Sequence, residues 1–158
     1  MDRGRRSYDS GLEEFQISKG IVDNLLITLD LFKEKNLSVS DTFTKNGFQT
    51  DNILNYEAPK ELSKLIMKEI NKNLNLFHIH LIEYYNQGEQ LPHDHKNTED
   101  YSFILYLNNS DGNTVFNDIS EISPKKGKLV FFKSDILHYG RPSFYQKKIA
   151  VGALKIVV

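Results

Sequence analysis

Cysteine is absent from the 158-residue chain, which excludes disulfides, thiolate nucleophiles, iron–sulfur clusters and cysteine-based zinc sites. The same absence says nothing about redox compartment. A charge excess is also missing: 20 Lys and Arg stand against 21 Asp and Glu, a formal net charge of −1. General polyanion binders normally carry a basic surplus, so nucleic acid is disfavoured as a partner. Long apolar runs are lacking too. The longest, residues 149–158, is interrupted by Lys155 and is far too short to cross a bilayer. No apolar segment follows Met1-Asp2-Arg3-Gly4-Arg5-Arg6, so no signal peptide is read and a soluble, cytoplasmic protein is expected. There is no internal repeat and no low-complexity tract. What remains is 39% hydrophobic and 26% charged residues, a mixture that folds in water at a length suited to one domain.

The chain is read as a single domain over 1–158, with a helical and mixed part over 1–75 and a β-rich core over 76–158. Residues 1–11 are polar and form a loose lead-in, in which Arg3, Arg5 and Arg6 are read as a solvated arm. Ile21, Leu25, Leu29 and Phe32 recur at helical spacing over 18–32, with Ser18 as candidate N-cap. Leu62, Leu65, Ile66 and Ile70 form a second stripe over 59–74, and Pro59 suits its first turn. Residues 35–58 are mixed, with β-prone pieces at 37–39 and Phe43. Later, β-rich runs at 76–85, 101–107, 114–116, 127–133 and 147–157 follow one another. The breaks between them fall at 86–88, 108–113, 123–127 and 140–142. Strands without intervening helices predict an antiparallel sandwich or barrel, covered by the N-terminal helices.

Four of the five histidines form two His-x-His pairs, His78/His80 and His93/His95, and the fifth is His138. In a strand, residues i and i+2 share a face roughly 7 Å apart, so each pair could offer two imidazoles to one ion. His78 and His80 alternate with Phe77, Ile79 and Leu81 and read as the wetter face of a half-buried strand. His93 and His95 lie instead where a strand meets turn-rich chain, and His138 ends a later apolar run. Two imidazoles on one strand with a third from a distant strand suit a facial metal site with open positions. Lys148 alternates with Ala150 and Gly152, whose small side chains leave room for a ligand; equally, it could be one of two adjacent surface lysines, with Lys147 its twin.

Residues 84–156 resemble the double-stranded β-helix of the Fe(II)- and 2-oxoglutarate-dependent oxygenases, particularly the prolyl-hydroxylase-like branch. The matching phrases run in order: Tyr85-Asn86-Gln87-Gly88, Pro92-His93-Asp94-His95, residues 102–108, Gly112-Asn113-Thr114-Val115-Phe116, residues 122–127, Leu129-Val130-Phe131-Phe132, and His138 through Lys148. The resemblance implies an α+β, mainly β fold: a cupin-like jelly roll with N-terminal helices packed on the sheet. It implies His93 and His138 as iron ligands, and Lys148 with Tyr106 as anchors for the distal carboxylate of 2-oxoglutarate. Thr114 and Tyr84 are further pocket candidates, although strand phase leaves Tyr84 and Tyr85 unresolved. The family pattern is His-x-Asp. Here His95 takes the third ligand position with Asp94 between, as in some phage and bacterial members. Three neutral imidazoles leave a ferrous site at +2, where a carboxylate ligand would give +1. Asp94 points away from a regular strand's ligand face, and Glu99 or Asp100 could fold over the metal.

The resemblance therefore implies an Fe(II)- and 2-oxoglutarate-dependent dioxygenase hydroxylating an unidentified peptide or metabolite. It would be found in the cytoplasm, or in a host cytoplasm or virion if phage-encoded. The altered ligand set keeps two other readings open. One is a catalytically degenerate metal-binding jelly roll serving as a structural or interaction module, such as a phage particle component. The other is a cupin-like dioxygenase with three histidines and no 2-oxoglutarate.

Overall fold

A computed structural model describes residues 6–8, 11–39, 43–70, 73–117 and 119–157, the first three by backbone alone. Arg3 and Arg5, and the side chain of Arg6, lie outside the described residues. Helix α1 (Lys19–Glu34) buries Val22, Leu25 and Leu29; Leu25 and Leu29 belong to the expected stripe, while Ile21 and Phe32 are only partly buried against the same core. Ser18 occupies its N-cap position, but its side chain makes no capping hydrogen bond. Helix α2 (Glu57–Glu69) takes Pro59 in its first turn and buries it with Leu62 and Ile66. It ends before the expected residue 74. Ile70 is already extended, and Leu74 opens a strand.

Among the described residues ten strands make one curled sheet: β1 (Arg6–Tyr8), β2 (Leu12–Gln16), β3 (Thr44–Gln49), β4 (Leu74–His93), β5 (Tyr101–Tyr106), β6 (Thr114–Phe116), β7 (Ser120–Ile122), β8 (Lys128–Lys133), β9 (His138–Gly140) and β10 (Lys147–Ile156). The order is β1-β2-β8-β5-β10-β4-β9-β6-β7, with β3 paired to β4. This is the jelly roll with N-terminal helices that the sequence implies. Several parts were not foreseen, the three-residue strands β7 and β9 among them. The lead-in supplies β1, the residues just after it β2, and the 35–58 stretch β3; their charged residues and short length hide them until β1 pairs with β2, β2 with β8 and β3 with β4. And Asn86-Gln87-Gly88, expected as a break, is a kink inside one 20-residue strand. Gln87 has φ 66°, and a Cβ at Gly88 would sit 2.5 Å from the Asn46 carbonyl oxygen, so glycine is required there. The kink lets β4 pair with β10 through its first half and with β9 through its last residues.

Alternation along the central strands separates two cores. Ile82, Tyr84, Ile104, Tyr106, Val130, Phe132 and Ile149 face the barrel interior with Leu12 and Phe116. Ile79, Leu81, Phe103, Leu105, Phe131 and Ala150 face the helices, joining Leu25, Leu29 and Leu62. No helix among the described residues is long and apolar enough to cross a membrane.

Candidate metal centre

His93 closes β4 and His138 opens β9, and the two are direct cross-strand partners. Their rings lie 4.3 Å apart, and His95 joins them at 4.6 Å from His93 and 5.4 Å from His138. One nitrogen of each ring lies within 4.8 Å of the other two, a set that could hold one metal ion. Backbone groups orient the rings. His93 Nδ1 donates to the Leu91 carbonyl at 2.8 Å and His138 Nδ1 to the Ile136 carbonyl at 2.9 Å. A carbonyl only accepts, so both protons sit on Nδ1 and both lone pairs on Nε2. The His95 amide is tied to the Ser134 carbonyl at 2.8 Å, and its Nδ1 lies 3.7 Å from Glu99 Oε1. Burial, followed by the neighbouring His93, pushes the His138 imidazole down to about 3, so it stays neutral at any working pH. Burial acts the other way on Glu99, raising its carboxyl to about 6. Phe43 stacks on His93, and Phe132 meets His138 edge-on. Asp94 turns away, accepting from the Lys96 amide.

Deeper in the barrel, the Tyr106 hydroxyl donates to Thr114 Oγ1 at 2.6 Å, and burial keeps that phenol protonated. Tyr84 faces the same interior, whereas Tyr85 packs toward the helices. The lysine found there is Lys147. It is 2% exposed, its Nζ donates to the Gly112 carbonyl at 2.8 Å, and it lies 4.9 Å above the Tyr84 ring. Among the described residues no carboxylate lies within ion-pair distance of it. Burial lowers its ammonium to about 8, against a smaller opposing pull from Asp111.

Lys148, the expected anchor, faces the other way. Its Nζ is 3.8 Å from Glu83 Oε1, and the fully buried Glu83 also takes Lys33 Nζ at 2.8 and 3.0 Å. The reason is strand parity. Lys148 shares the helix-side face with Ala150 and Gly152, and the room above Gly152 is filled by Phe103: a Cβ at Gly152 would meet that ring at 1.9 Å. Lys147 shares the inner face with Ile149 and Val151. Alternation alone could not tell which face was inward; pairing of Lys147 with Tyr84 and of Ile149 with Tyr106 decides it.

The wetter face assigned to His78 and His80 is also part of the interior. His80 lines the cavity beside the three imidazoles, with Gln90, Ser102, Ile104 and Val151. Its Nδ1 is 2.9 Å from His78 Nε2, and burial lowers the His78 imidazole. The cavity holds about 40 Å³, above the roughly 10–15 Å³ that one water needs, so an ion fits. A larger cleft of about 430 Å³ lies between α1 and α2, bordered by Phe32 and Tyr56, and contains none of the histidines.

The family model described as the 2OG-Fe(II) oxygenase superfamily matches residues 78–153, a segment that contains all three converging histidines and the buried lysine. That segment, a little under half of the chain, is similar to the superfamily so described. Solved structures agree in fold. A Pseudomonas putida prolyl-4-hydroxylase superposes with a TM-score of 0.78 at 16% identity, covering 95% of each chain. A viral collagen prolyl hydroxylase from Paramecium Bursaria Chlorella virus-1, in its 2OG complex, gives 0.75 at 19% identity, covering 94% of this chain and 98% of that one. A Trichoplax adhaerens prolyl hydroxylase in complex with a hypoxia inducible factor peptide fragment gives 0.74 at 16%, covering 92% and 84%. No curated protein matches the chain. At these identities the solved structures show the fold alone.

Proposed function

We propose that this protein is an Fe(II)- and 2-oxoglutarate-dependent dioxygenase hydroxylating a C–H bond, with His93, His95 and His138 as metal ligands and Lys147 as the cation for the cosubstrate's far carboxylate. The observation that carries the reading is a buried ammonium with no carboxylate partner among the described residues, on the inner face of the sheet that also carries three converging imidazoles. The donor set fits. Imidazole nitrogens suit a divalent iron and leave positions open, and a dicarboxylate taken into an apolar barrel needs a cation at its far end. When bound, the metal and cosubstrate supply the oxidising chemistry. The chain's own work is positional. The Leu91 and Ile136 carbonyls hold two rings with Nε2 inward. Tyr106 and Thr114, joined to one another, would offer hydroxyls to the dicarboxylate, and the Tyr84 ring would flank it. Phe43, Phe116 and Phe132 keep bulk water from the histidines. Lys147, which now donates to the Gly112 carbonyl, would hold the far carboxylate.

Anaerobic titration of the protein with Fe(II) and 2-oxoglutarate tests this directly. We expect a visible metal-to-ligand charge-transfer band that requires both components. Lys147→Ala should weaken the 2-oxoglutarate dependence at least tenfold, while Lys148→Ala leaves it within twofold. Absence of the band in wild type, or loss in the Lys148 variant with retention in the Lys147 variant, overturns the assignment.

A further inference from the structure

We propose that Glu99 is a positioning residue for the metal centre, holding the His95 imidazole through Nδ1 and returning one negative charge to a site whose three ligands are neutral. The inference rests on the metal-binding reading above.

The three imidazoles are not supported alike. His93 and His138 hydrogen-bond to backbone carbonyls, whereas the Nδ1 of His95 faces a carboxylate at 3.7 Å, an ion-pair distance. The chain is built to bring that carboxylate there. The amides of Thr98 and Glu99 both donate to the His95 carbonyl, at 3.0 and 3.1 Å, winding one turn that returns residue 99 to residue 95. Ser102 Oγ then donates to Glu99 Oε2 at 2.6 Å and Thr98 Oγ1 to Oε1 at 3.2 Å, and Ser134 Oγ donates to the Glu99 carbonyl. The Glu99 side chain is left only 10% exposed. The nearby acids are turned elsewhere: Asp94 accepts from the Lys96 amide and Asp100 from the Ile156 amide.

The physical need is clear. A divalent ion among neutral imidazoles keeps its full charge in a poorly solvated site, where an uncompensated charge is costly. A carboxylate one ring away offsets part of that cost, fixes the tautomer and makes the ligating nitrogen more basic. Because the carboxylate faces Nδ1, it acts through His95 and stands outside the ligand set, in agreement with its absence from the group of mutually close ligand atoms.

Glu99→Gln separates charge from shape, since the amide oxygen can still accept from Ser102. Metal-stripped full-length protein is titrated with Fe(II) against a chromogenic chelator at pH 7.5, and with Co(II) to read its visible ligand-field bands. We expect Glu99→Gln to weaken Fe(II) binding about 10–100-fold and to shift the Co(II) bands, with the melting temperature of the metal-free protein unchanged. Ser102→Ala, which removes the strut and keeps the carboxylate, should weaken binding less. Asp94→Asn should do neither. Wild-type affinity and an unshifted Co(II) spectrum in Glu99→Gln overturn the inference while leaving the metal centre intact. Failure of the wild-type protein to bind either ion overturns both.

Discussion

An ammonium buried at 2% exposure beside an aromatic ring is poised between two states, and Lys147 is such a group. With its acidity constant lowered to about 8, it is charged below that pH and neutral above. Only the charged form can pair with a dicarboxylate. Affinity for 2-oxoglutarate is therefore expected to be flat below pH 8 and to fall about tenfold per unit above it, a profile readable by spectral titration and absent in Lys147→Met. At this scale the convergence of His93, His95 and His138 could be anticipated from a pair beside a turn and a third histidine after a later apolar run, while the bond between Tyr106 and Thr114 could not be read before the strands were placed. Lys147 was not legible. Two adjacent lysines project to opposite faces, and the choice between them depends on which core each face meets.

At the level of elements, the helical layer is fastened to the sheet by charge as well as by apolar contact. Glu83 on β4 is fully buried between Lys33 of α1 and Lys148 of β10. The Glu83 carboxylate in turn holds the Lys33 ammonium above its usual range. Charge-assisted hydrogen bonds contribute about 1.5–3 kcal/mol, so Lys33→Ala should lower stability by that amount in urea unfolding. Lys148→Ala should cost less because its contact is longer, and the double variant more than the sum, since each lysine covers for the other. Gly152→Ala drives a methyl into the Phe103 ring and should cost at least 1–3 kcal/mol, roughly the range for overpacked cores. The helices and central strands were legible from period. The short strands β1, β2 and β3 were not, because Glu13, Glu14 and Lys45 interrupt the alternation and only cross-strand partners define them.

For the whole molecule, the proposed ligands come from two strands and the chain just beyond one of them, so binding closes the barrel's mouth across separate parts of the fold. An ion bound only by the folded state adds about 2.7 kcal/mol at a hundredfold excess over its dissociation constant. For a chain of this size that corresponds to a rise of about 5–10 °C in melting temperature, reversed by a chelator and absent in His138→Ala. Strand β4 links these effects. One unbroken backbone carries the carboxylate that ties down the helices, the kink at Gly88, and the imidazole of His93. Since facing alternates with every residue, a single codon inserted between Ile82 and Gly88 would turn either the barrel wall or the histidine inside out. The length of this stretch is thus fixed by a parity rule, and sequence drift can alter its letters far more readily than their number.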